Sequence, residues 1–68
     1  MFGEAEKKLR IERKLQQSDV AQALGLSRAS ICKYEKNERE PSLKTLIAFC
    51  DYYGVSADVM LGRTVGEE

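Results

Sequence analysis

Arg28 and Lys33 stand five positions apart in the stretch Ser27-Arg28-Ala29-Ser30-Ile31-Cys32-Lys33-Tyr34-Glu35. They are the side chains here best suited to reading a polar surface. A guanidinium donates hydrogen bonds in a rigid planar fork, which matches a pair of neighbouring acceptors such as those on a guanine edge. An ammonium is a point charge that serves guanine or phosphate. Ala29 can touch a thymine methyl, and Ser27 and Cys32 can add contacts at the margins.

Little else in the chain carries chemistry. The 68 residues include no His, no Ser–base–acid arrangement and no glycine-rich phosphate loop, so there is no constellation for catalysis and no enzyme is expected. Cys32 and Cys50 are the two cysteines and lack a CxxC spacing. Without His, the four ligands of a structural zinc site are not at hand, so neither a metal nor another cofactor is expected. Cys50 sits among apolar neighbours and reads as a small core residue.

The elements that must position Arg28 and Lys33 are short helices. Val20, Ala21 and Leu24 form an apolar helical stripe, and Gly25 follows where a helix end needs left-handed backbone angles. Leu26 is apolar, and Ser27 can cap a next helix that carries Ile31 inward. Small Ala21 lets the two helices cross closely. That is the outline of a helix-turn-helix. Before it, Glu4 to Lys14 reads as a charged helix with Phe2, Ala5, Leu9 and Ile11 as apolar contacts. Gln16 is a mediocre cap for the helix that begins at Gln17. After Glu35 or Lys36, Asn37 can adopt the left-handed region and close the third helix. Ser42 caps a fourth helix, Leu43 to about Tyr53, with Leu43, Leu46, Ile47, Cys50 and Tyr53 at helical spacing and Gly54 as its stop. Ser56 caps a last short helix over 57–61, ended by Gly62. The expectation is an all-α fold, five helices around one core over residues 1–62, with a polar tail at 63–68.

With 43% hydrophobic and 32% charged residues the composition is that of a globular domain. No apolar run is long enough for a membrane span, and the N-terminus lacks the apolar segment of a signal peptide, so a cytoplasmic address is expected. The net charge of zero hides an asymmetry: residues 1–44 carry +3 and residues 45–68 carry −3. Bulk charge therefore says little about partners, and local placement has to decide.

The pattern Leu15-x-Gln17-x-x-Val20-Ala21-x-x-Leu24-Gly25-Leu26-Ser27-x-x-x-Ile31-x-Lys33-Tyr34-Glu35 resembles the helix-turn-helix of phage Cro and repressor-type regulators, the XRE family. Pro41-Ser42-Leu43-x-Thr45-Leu46 and Gly54-Val55-Ser56-x-Asp58-x-x-Leu61-Gly62 resemble that family's fourth and fifth helices. The likeness runs from about Gly3 to Gly62. It implies a compact lambda-repressor-like domain and a transcriptional regulator, usually a homodimer on a palindromic operator in double-stranded DNA. It also implies a buried or half-buried ion pair between Arg10 and Glu35. Three positions depart from the pattern: Lys14 and Asn37 stand where Gly is common, and Gln16 where Ser or Thr usually caps.

On this reading Ser27, Arg28, Ala29, Cys32 and Lys33 face base edges in the major groove. Gln17 at a helix start, with Tyr34, Lys36, Asn37 and Arg39, would grip phosphates. A subunit seam would draw on Tyr52, Val59, Met60 and Val65, although filling the core under the final helix is the commoner role for Val59 and Met60 at this spacing. No small-molecule ligand and no membrane partner are expected, and repression is the simpler outcome of a bound dimer. The rival reading is a protein-interaction module, such as an antitoxin or anti-regulator. The near-neutral charge and acidic C-terminal third favour it slightly, and charge cancellation by Glu38 and Glu40 over the Arg28–Arg39 surface would favour it further.

Overall fold

The computed structural model describes residues 2–61, which form five helices. These are α1 (Phe2–Glu12), α2 (Gln17–Leu24), α3 (Arg28–Glu35), α4 (Leu43–Tyr53) and α5 (Ala57–Met60). Among the described residues there is no strand. The all-α architecture expected from the sequence is the one observed, with α3 packed against α2 and α1 while α4 and α5 close the other side.

Three helices begin on a serine. Ser27, Ser42 and Ser56 each accept a hydrogen bond from the main-chain N–H three residues on, at Ser30, Thr45 and Val59. Each thereby satisfies a donor that the first helical turn leaves unpaired. At the start of α2 the carboxylate of Asp19 accepts from the Gln16 N–H at 2.8 Å. The weak cap at Gln16 is thus compensated from inside the helix.

The helix ends share one closure. After α1, α2, α3 and α4 the chain turns through a left-handed residue at Lys14, Gly25, Asn37 and Gly54. The next N–H then reaches back to a carbonyl of the last turn: Leu15 to Arg10, Leu26 to Ala21, Glu38 to Lys33 and Val55 to Cys50, at 2.8–3.0 Å. This is the Schellman arrangement. Gly25 takes φ 69° at no steric cost, whereas Lys14 and Asn37 hold φ 59° and 60° against the preference of L-residues.

The core is aromatic at its centre. Phe2, Tyr34 and Phe49 meet edge to face, with ring centroids 5.1–5.9 Å apart, a geometry that sets a positive ring edge on a negative face. Val20, Ala21, Ile31, Tyr53 and Met60 complete the buried cluster.

Two expectations need correction here. The first helix begins at Phe2 and ends at Glu12, earlier at both ends than the expected 4–14. Phe2 and Gly3 are held by tertiary contacts, and the left-handed Lys14 cannot belong to a helix. A Cβ on Gly3 would lie 2.5 Å from the Tyr34 carbonyl oxygen, so only glycine lets α1 approach the end of α3 this closely. The buried face of α4 is also rotated. Phe49 and Tyr53 are buried, with Leu46 and Cys50 packed beside them, while Leu43 and Ile47 lie 73% and 51% exposed. Ile11, expected inside, is likewise exposed. Burying Phe49 between Phe2 and Tyr34 turns the helix and carries Leu43 and Ile47 outward.

Candidate nucleic-acid interface

The third helix has an inward and an outward side, and the sequence divides cleanly between them. Ile31, Tyr34 and Glu35 are buried; Arg28, Ala29 and Lys33 are exposed, and Cys32 is half-buried. Ser27 is exposed, with its hydroxyl engaged in the cap and 3.0 Å from the Ser30 hydroxyl. Arg28, Ala29 and Lys33 therefore share a solvent-facing surface. Neither Arg28 nor Lys33 forms an ion pair or side-chain hydrogen bond among the described residues.

The cations of α1 are used differently. Arg10 Nε donates to Glu35 Oε2 at 2.6 Å and Nη2 to Oε1 at 3.1 Å, a two-point grip on one carboxylate. Its Nη1 donates to the Leu15 carbonyl at 2.9 Å, so one guanidinium ties α1, the first turn and α3 together. The ion pair implied by the family resemblance is thus formed and largely shielded from water. Arg13 donates to the Tyr53 carbonyl at 2.7 Å and lies 5.3 Å from that residue's ring centre. Both side chains hold the fold.

Glu35 is the hub beneath the outward face. Gln17 Nε2 donates to Glu35 Oε1 at 3.0 Å, so its side chain turns inward and the helix start is what it keeps for an anion. Burial alone would raise the pKa of Glu35, but hydrogen bonds from Arg10, Glu6 and Gln17 outweigh it and hold the carboxyl below its usual range. Hydrogen bonding to Glu35 in turn raises Arg10 further. Glu6 is wholly buried, and its Oε2 accepts from the Tyr53 hydroxyl at 2.7 Å. Desolvation, then the neighbouring Glu35, pushes Glu6 up to about 8. Burial, followed by the Glu6 contact, raises the Tyr53 phenol as well.

The remaining expected residues separate. Gln17, Gln16, Ser18, Arg10 and Arg28 line an open polar recess of about 250 Å³, which brings the start of α2 beside the start of α3. Lys36 and Arg39 are exposed. Arg39 reaches back towards α3, with Nη1 3.4 Å from the Ser30 hydroxyl. Asn37 is exposed, yet its Oδ1 accepts from the Gly3 N–H at 3.1 Å. Tyr34 lies within the aromatic core rather than at its margin, because Phe2 covers it from α1.

Of the suggested seam residues, Val59 is exposed and Tyr52 half-buried. Met60 is a correction: it is fully buried, fills the core beneath α5 and has no surface to offer a partner. Val65 lies outside the described residues. Sequence reasoning missed Glu6, Arg13 and Phe49. A signal existed for two of them, since Glu6 stands one helical turn before Arg10, and Leu46, Phe49 and Tyr53 form a stripe of their own. Arg13 on the Tyr53 carbonyl had none.

Among the described residues no group of three or more His, Cys, Asp or Glu is arranged to hold a metal ion, and no helix is long and apolar enough to cross a membrane. Two capped helices joined by a glycine turn, the second presenting cations without an internal partner among the described residues, define a helix-turn-helix domain.

Comparison with known proteins agrees. The family described as Helix-turn-helix matches residues 7–60. The chain is 42% identical over 64 residues to the SPbeta prophage-derived uncharacterized HTH-type transcriptional regulator YonR of Bacillus subtilis, covering 94% of this chain and 59% of that one. It is 43% identical over 61 residues to the uncharacterized HTH-type transcriptional regulator YqaE of the same organism, covering 90% and 53%. The cryptic phage CTXphi transcriptional repressor RstR of Vibrio cholerae is 36% identical over 55 residues, covering 81% and 50%. The chain belongs to the XRE-type helix-turn-helix family, a family of regulators and not of enzymes. It spans little more than half the length of these curated relatives.

Proposed function

We propose that this domain is the DNA-reading part of a transcriptional regulator, a repressor that binds a palindromic operator as a homodimer. One observation carries the reading. Arg10 and Arg13 are committed to internal acceptors, whereas Arg28 and Lys33 on the outward side of α3 have no internal partner among the described residues. Exposed cations on a short, firmly packed helix suit insertion in the major groove, where Arg28 can donate to guanine O6 and N7. Ala29 and Lys33 lie on the same surface. Ser27 and Cys32 flank it.

Phosphate contacts have a physical basis too. With its side chain on Glu35, Gln17 offers a neighbouring strand its main-chain N–H and the positive end of the α2 dipole. Arg28 stands across the same recess. Lys36 and Arg39 extend the positive edge, with Asn37 as a lesser contributor, while the buried Tyr34 drops out of the expected set. Exposed Glu38 and Glu40 temper that edge, which favours selective over general binding.

One recognition helix covers only a few base pairs, so a twofold dimer suits an operator of two half-sites about one helical turn apart. Val59 and Tyr52 are the surface residues from the expected set that remain for such a seam. The family and its named regulators support this reading.

The test is selection from a random duplex pool followed by salt titration of the winner. A palindromic consensus with steep salt dependence is expected. No enrichment at low salt, from folded protein, would overturn DNA reading and turn the search to a protein partner.

A further inference from the structure

Glu6 has no part in the recognition surface, yet it is the most fully buried acid among the described residues. Its Oε2 accepts from Tyr53, but its Oε1 is buried without any donor to serve it. A carboxylate oxygen left so would carry an uncompensated desolvation cost. A carboxylic acid would carry an O–H that can donate, and the neighbouring Glu35 carboxyl is the acceptor on offer.

The groups around Glu6 make the same point. From its own helix Arg10 faces it, but that guanidinium is gripped by Glu35. From α3 comes the Glu35 carboxylate, and from α4 the Tyr53 hydroxyl. Gln17 from α2 reaches this cluster through Glu35, and α5, which also packs on α1, brings the apolar Met60 to the core. Two carboxyls thus lie together while the one guanidinium beside them bonds only Glu35. Like charges so placed favour a single shared proton.

We propose that Glu6 is a positioning residue for the recognition helix, held as a neutral acid that accepts from Tyr53 and donates to Glu35. Arg10, Gln17 and Glu6 then approach Glu35 from two helices, and the end of α3 is pinned by three donors. Removing the proton sets two carboxylates against each other beneath that helix.

The sign of the pH effect follows from the raised folded-state value. Stability from Glu6 is fully present below its ordinary value of 4.5 and is lost progressively as pH rises to about 8. Two measurements test this without DNA, so failure here is distinct from failure of the DNA reading. Carboxyl NMR of the wild-type domain should show Glu6 still protonated at pH 6.5, with roughly 97% in the acid form for a value of about 8. The thermal midpoint of the wild type should fall between about pH 5 and 8, and Glu6→Gln, whose amide donates and accepts at any pH, should abolish that fall. A Glu6 carboxyl titrating in the ordinary acid range would overturn the proposal, and so would an unchanged pH slope in Glu6→Gln. Should Glu6→Gln fail to fold, the wild-type NMR titration alone decides.

Discussion

The two sides of α3 are built to opposite rules. Inward, the buried charge is answered: Glu35 receives Arg10 through two bonds and Gln17 through a third. Outward, Arg28 and Lys33 are left unanswered among the described residues. The inner side is ordered by burial, where an unpaired charge is costly, so its residues come in matched sets. The outer side faces water, which solvates cations at little cost and surrenders them to a partner. A helix that must enter a groove without bending needs both. The lesson is that charge alone does not mark a binding residue; whether the fold has already used that charge does.

This contrast can be broken from either side. Arg10→Ala should have the largest effect, a loss of about 3–5 kcal/mol in folding stability as Glu35 is stranded. Urea unfolding measures it, and a loss near zero would mean the pair is solvated. Next, Arg28→Ala should leave the urea midpoint unchanged while base discrimination at one operator position falls by about 1–3 kcal/mol, read by competition between operator variants. A stability loss with intact discrimination would place Arg28 on the wrong side of the divide.

Ser27→Ala touches the point where both sides begin. Loss of the cap on Ser30 should cost about 1 kcal/mol, seen by circular dichroism on thermal melting. Arg39→Ala should have the smallest effect on recognition. It should weaken all sequences alike and reduce the logarithmic salt slope by about one unit. Selective loss at particular bases would instead join Arg39, through its contact with Ser30, to the reading surface.

Much of the frame was legible in the residues. Ser27, Ser42 and Ser56 mark three helix starts, and Gly25, Asn37 and Gly54 mark three ends, because capping and left-handed turns depend on local chemistry within a few residues. Arg28, Ala29 and Lys33 could be placed outward because Ile31 sets the inward phase. The pairing of Arg10 with Glu35 came only through family resemblance; nothing in a separation of 25 residues announces it.

What the chain order could not decide was which of two plausible faces each helix would bury. In α4, Leu43 and Ile47 compete with Phe49, and the aromatic contacts made by Phe2 and Tyr34 settle the rotation. In the same way Met60 goes to the core and Val59 to the surface. Glu6 looked like one more charge on a solvated helix until Tyr53, Glu35 and Arg10 closed over it. Caps and turns are local and therefore written along the sequence. The phase of a helix, and the ionisation of a buried acid, depend on neighbours that only the folded chain brings within reach.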